Sequence, residues 1–157
     1  MEFLCSTHRR RFAEMSLDQQ RELWLVWMEC AQLQYRQQDW RAVVSLSGCA
    51  FELACLARAR NERYMHIELT LAAIYVTNAL TAFGDPGCAE QVIYDALDAL
   101  LPDELCLSGV EGSCGISECM EVLLDTSRQQ DFFEDYLNWP FFPTPPDMLG
   151  QWDRIYH

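Results

Sequence analysis

No window of the 157-residue chain approaches eighteen consecutive apolar residues, about the length a helix needs to cross a bilayer, so no membrane-spanning segment is expected. A secretory signal is missing too. Apolar Phe3-Leu4-Cys5 precedes His8-Arg9-Arg10-Arg11, the reverse of the basic-then-apolar order such a signal needs. Strand-like alternation of useful length is absent, which leaves an all-α class. There is no nucleophile elbow, phosphate-binding glycine loop, dinucleotide fingerprint or H-E-x-x-H, so neither catalysis nor a cofactor is expected. Lysine is absent altogether, the eleven basic residues all being arginine, and no mechanism follows from that choice. Basic charge is scarce in the second part of the chain. Residues 1–64 set nine arginines against eight acids, whereas residues 65–157 set only Arg128 and Arg154 against sixteen. Such a surface repels phosphate backbones and excludes nucleic acid as a partner. It serves solubility, or it selects a basic partner.

What is present describes a globular chain. Half of it is apolar and 22% is charged, enough for one domain with an appended tail. Eight cysteines, at 5, 30, 49, 55, 88, 106, 114 and 119, are expected as reduced thiols in a cytoplasmic protein. Cys30, Cys49, Cys55 and Cys88 lie inside helical apolar patterns, where a thiol packs as a small hydrophobe.

Helical periodicity dominates the rest. Ser16 and Gln19 form a capping box that opens a helix over about 17–38, with Trp24, Trp27, Met28, Ala31 and Tyr35 at three- and four-residue steps. The unbroken run Leu23 to Met28 implies contact on more than one side, or a self-association face that makes a homodimer. Asp39 caps a helix over about 40–60 with Val43, Leu46, Ala50, Leu53 and Ala57 inward. Asn61 stops it, being tolerant of the left-handed conformation. The next helix, about 62–83, turns Leu69, Ala72, Ala73, Val76, Leu80 and Phe83 to one face and ends at Gly84. Asp85-Pro86 opens another, to about 101, with Pro102 closing it. A loop follows over 102–115. A less regular fifth helix is expected over about 116–137, and a Pro/aromatic tail over 139–157. The single domain is thus residues 1–138, with hairpins over 17–60 and 62–101.

The two aspartates sit at tight turns 46 residues apart, and Ala50 and Ala96 each follow their aspartate by eleven. Repeated helical hairpins bury their apolar faces by stacking on one another. This pattern resembles the tetratricopeptide repeat. Gly84-Asp85, Ala89, Ala96, Leu97 and Pro102 match its turn, packing positions and closing proline, and Trp27, Ala31, Asp39-Trp40 and Ala50 fit the same frame in the first hairpin. The departures are Gln38 for the turn glycine, Val43 for the first small residue and a 46-residue spacing where the family uses 34. The resemblance implies a concave groove lined by Met28, Gln32, Tyr35 and Arg36 and by Ile74, Asn78 and Thr81, a protein or peptide partner, and no chemistry. Size and acidity are further similar to those of repeat-containing secretion chaperones.

Three other features carry chemistry. Cys106, Cys114 and Cys119 are grouped about Gly109, Gly112 and Gly115. Thiolates in a flexible loop can hold a metal or a redox pair, with Cys88 or His66 as a further ligand. No C-x2-C pair is present, and Cys114 and Cys119 can meet only if the chain between them is not regular helix. His8 and Arg9-Arg10-Arg11 read as a frayed, solvated terminus. Phe132, Phe133, Tyr136, Trp139, Phe141 and Phe142 form an aromatic segment that either caps the hairpins or occupies the groove until a partner displaces it.

The function expected is therefore an adaptor or chaperone that binds a protein or peptide segment. A thiol or metal sensor built on Cys106, Cys114 and Cys119 is the alternative. A second is an acidic decoy for a nucleic-acid-binding protein.

Overall fold

The computed structural model describes residues 2–61, 63–101 and 114–137. Among them the chain is all helical, with seven α-helices and one 3-10 turn. Cys106, most of the 102–115 loop and the whole 139–157 tail, with Trp139, Phe141 and Phe142, lie outside the described residues.

Helix α2 (Leu17–Arg36) opens on the expected capping box: the Gln19 N–H donates to Ser16 Oγ at 3.2 Å and the Ser16 N–H donates to Gln19 Oε1 at 3.0 Å. A three-residue turn leads to α3 (Trp40–Arg60), where Asp39 Oδ1 accepts from the Ala42 N–H at 3.2 Å. Gln38 takes the turn's left-handed position, φ 61°. The second hairpin repeats the device. Helix α4 (His66–Phe83) ends at Gly84, φ 94°, and Asp85 Oδ1 accepts from the Cys88 N–H at 3.2 Å to start α5 (Pro86–Leu100).

The join between the hairpins differs from expectation. Asn61 is extended, φ −155°, and the left-handed residue is Met65, φ 55°. Asn61 instead organises the turn through its side chain, whose Oδ1 accepts from the Arg63 N–H at 3.0 Å. Helix α4 consequently begins at His66 rather than at 62. The buried Arg58 ties this corner together. Its guanidinium donates to the carbonyls of Ala99 (2.9 Å), Tyr64 (3.3 Å) and Leu100 (3.5 Å). A cation thus meets carbonyls that α5 leaves unpaired at its C-terminal end.

The expected fifth helix is two, α6 (Cys114–Leu124) and α7 (Gln129–Leu137), parted by a 3-10 turn. Asp125 makes the break, its Oδ1 accepting from Ser127 N at 3.1 Å and Ser127 Oγ at 2.6 Å. Gln129 then donates to Val122 O at 3.1 Å and folds α7 back on α6.

Helix α4 is the hub, packing against α3, α5, α6 and α7. That is why its buried residues run almost without a break from Leu69 to Leu80. Phe83, expected inside, is exposed at the helix end, with Arg41 Cζ 5.8 Å from its ring centroid. Helix α3 is long and apolar enough to cross a membrane by length and composition, though never as one uninterrupted run. More than half of that window is buried against its neighbours.

Helix α1 (Ser6–Ala13) corrects the expected frayed terminus. It lies on α3, and the nearly buried Glu52 carboxylate accepts from the Phe3 N–H (2.8 Å), the Leu4 N–H (2.6 Å) and Arg9 (3.3 Å).

Candidate functional site

The groove expected between α2 and α4 is filled. Met28 and Ile74 are fully buried and Tyr35 is 9% exposed, so all three belong to the core rather than to a partner surface. The physical reason is the aromatic chain that crosses the place. Trp40 meets Tyr35 edge-on at 5.3 Å between centroids, Tyr35 meets Tyr75 at 6.0 Å, and Tyr75 meets Phe133 at 5.7 Å. Such tilted and edge-on pairs exceed simple area burial in their contribution to stability. Burial pushes the Tyr75 phenol up, so it stays neutral there.

Phe132 and Phe133 are core residues of helix α7, while Tyr136 is 43% exposed and its ring lies 4.8 Å from that of Phe132. Of the other expected groove residues, Gln32 and Asn78 are half-buried and Arg36 and Thr81 are exposed. Thr81 spends its hydroxyl on Thr77 O at 2.9 Å.

Of the expected cysteine cluster, Cys106 and the side chain of Cys114 lie outside the described residues; among the described residues no group of three His, Cys, Asp or Glu side chains stands close enough to hold a metal. The backbone from Cys114 to Cys119 is regular helix, which sets the two positions about a turn and a half apart along it. Cys119 is buried, its thiol 3.8 Å from His66 O, and burial raises its pKa to about 11. A thiol held protonated in this way is a poor nucleophile and a poor metal ligand. Burial lowers the pKa of His66, and the nearby Arg58 charge acts in the same direction. Cys55 is pushed up to about 12 by burial and by Glu52. The described cysteines are free thiols.

Among the described residues, one run of exposed apolar side chains lies on the outer side of α2, a helix whose principal neighbour is α3. Leu25, Val26 and Leu33 are 40%, 53% and 55% exposed there, with Glu22 and Glu29 exposed on the same side. Positions 22, 26, 29 and 33 fall at the three- and four-residue steps that make one helical face. Sequence periodicity singled out the residues of the inward stripe of this helix, whereas a second contact side was expected without Leu33 being named. That side's only signal was the unbroken apolar run from Leu23 to Met28, which exceeds what a single buried face requires. Comparison with protein-family models, with curated proteins and with solved structures finds no match.

Proposed function

We propose that this protein is a non-catalytic interaction module, an adaptor or chaperone that grips a protein or peptide segment through the outer face of α2. The observation that carries the reading is the exposed stripe Leu25, Val26 and Leu33 on a helix whose opposite side is fully engaged in the core. Apolar anchors of this kind supply affinity, and the flanking Glu22 and Glu29 select a segment with basic neighbours. The tetratricopeptide-like arrangement finds support in the two aspartate-capped turns and in Ala50 and Ala96, both fully buried at matching positions of their hairpins. The partner surface differs from the one that resemblance implied, because Met28, Tyr35 and Ile74 of that groove are buried in the core.

The test is native mass spectrometry of the protein purified gently from its own host, beside the Val26→Asp/Leu33→Asp variant. Both positions are more than half exposed, so the variant keeps its fold. A polypeptide that accompanies the wild type and is lost from the variant supports the reading. One that accompanies both equally removes α2 from it. An added mass that a chelator strips would transfer the function to the cysteines.

A further inference from the structure

The attachment of the first residues to α3 has the features of peptide recognition. The Glu52 carboxylate, 8% exposed, accepts from two consecutive backbone N–H groups, Phe3 at 2.8 Å through Oε1 and Leu4 at 2.6 Å through Oε2. One turn earlier, Gly48 leaves a notch that the Phe3 ring fills so closely that a Cβ there would overlap the ring. Cys49 Sγ stands 3.7 Å from Phe3 O, and Arg9 completes the carboxylate's partners at 3.3 Å. Helix α3 thus reads an aromatic side chain, the backbone beside it and a cation one helical turn further on.

What is held is lightly built. Helix α1 contributes no buried residue of its own. Among the described residues its other polar attachments are carbonyls of the last turn and the link to α2: Phe12 O to Gln20 at 3.0 Å, and Ala13 O and Met15 O to Arg60 at 3.4 and 2.5 Å. Of residues 3–9 only Leu4 is buried, at 7% exposure, and a segment with so little buried surface opens at lower cost than the core. Its departure exposes a desolvated carboxylate and an aromatic-sized notch, which need a replacement of the same chemistry.

We propose that the Gly48–Glu52 face of α3 is a second peptide-binding site, and that residues 3–9 are its resident pseudo-ligand. The external occupant is a segment of a partner protein with the same chemistry: an extended aromatic–aliphatic pair with both N–H groups unbonded, followed by a basic turn. Charge complementarity favours it, since Glu52 is the acid to which Arg9 now binds. The site rests on the interaction-module reading but not on the α2 stripe.

A labelled synthetic peptide of residues 2–13, kept reduced, is the probe, titrated by fluorescence anisotropy into the full chain. Wild type should bind it weakly, because its own arm competes and only the open fraction is available. Phe3→Ala weakens the arm and leaves the site intact, and should bind at least tenfold tighter. Adding Gly48→Ala to Phe3→Ala closes the notch without creating a clash with the chain's own ring, and should abolish the gain. Adding Glu52→Gln in its place should weaken binding at least tenfold, and a thermal melt verifies that each variant is folded. Val26→Asp/Leu33→Asp should bind the peptide as wild type does, which separates failure of this site from failure of the α2 reading. Equal binding by Phe3→Ala and wild type, or binding that survives Gly48→Ala, overturns the proposal. A wild-type dimer in which the arm of one copy crosslinks to α3 of the other also overturns it, by giving the site to a second copy.

Discussion

Gln38 occupies the left-handed region at φ 61°, where its counterpart in the second hairpin is Gly84 at φ 94°. A side chain at such a position crowds the following carbonyl and costs about 1–2 kcal/mol, whereas glycine is indifferent. Gln38→Gly should therefore stabilise the protein by about 1 kcal/mol after the extra freedom of the unfolded chain is subtracted. Urea unfolding would show the midpoint rise with an unchanged slope. An unmoved midpoint would mean that Gln38 makes a compensating contact. This position was visible in the sequence as a departure from a glycine, since the turn chemistry is local. Met65, equally left-handed at φ 55°, was not. Nothing in its neighbours demands the conformation, which follows from how Asn61 and Arg58 set the corner between α3 and α4.

Among the elements, the four helices of the two hairpins were legible to within a few residues because their signals are short-range: a capping box, two capping aspartates, a proline and one glycine. Helix α1 was not, and α6 and α7 were legible only as one helix over about 116–137, without the break between them. Glu52 and Gly48, which hold the first residues, are more than forty positions away from Phe3 and Leu4, and Asp125 breaks a stretch whose apolar spacing is otherwise continuous. The same limit hid the fate of the aromatic segment. Phe132 and Phe133 were expected either to cap the hairpins or to occupy the groove, and both are buried, Phe133 against Tyr75 of α4. If α7 is a structural cap, Phe133→Ala should cost about 3–5 kcal/mol, the usual price of an aromatic cavity. That is a large share of the roughly 5–15 kcal/mol available to a domain. Chemical denaturation measures it directly. A loss below about 1 kcal/mol would instead mark α7 as displaceable, and would restore the inner side of the hairpins as a partner surface.

For the whole molecule, two half-buried ionisable groups at the α4 N-terminal end pull stability in opposite directions with pH. His66 is depressed by burial, so the unfolded chain takes up a proton first as pH falls through about 6.5; stability then declines until the folded pKa is passed. Glu68 is raised by burial, with Arg21 near it at 3.9 Å and Oε2 without a hydrogen bond. The folded state holds that proton more tightly, so its contribution improves as pH falls toward the ordinary carboxylate range and is lost as pH rises through the folded pKa. Between about pH 7.5 and 5, His66→Gln should flatten the decline in unfolding free energy and Glu68→Gln should steepen it. Parallel profiles for wild type and both variants would show that neither group is desolvated in solution.

The sequence by itself determined the all-helical class, the two aspartate-capped hairpins and the acidic second part of the chain. Each of these rests on spacing within a few turns or on composition. Tertiary structure alone decided that α4 is the hub, that Met28, Tyr35 and Ile74 belong to the core rather than to a groove, and that Cys119 is sequestered. It also decided which apolar residues remain outside. An amphipathic pattern states that a face is buried but not by what, and Met28 and Val26, two residues apart on one helix, are separated only by where α3 and α4 lie. Packing between elements distant in sequence is what assigns one to the core and leaves the other at the surface.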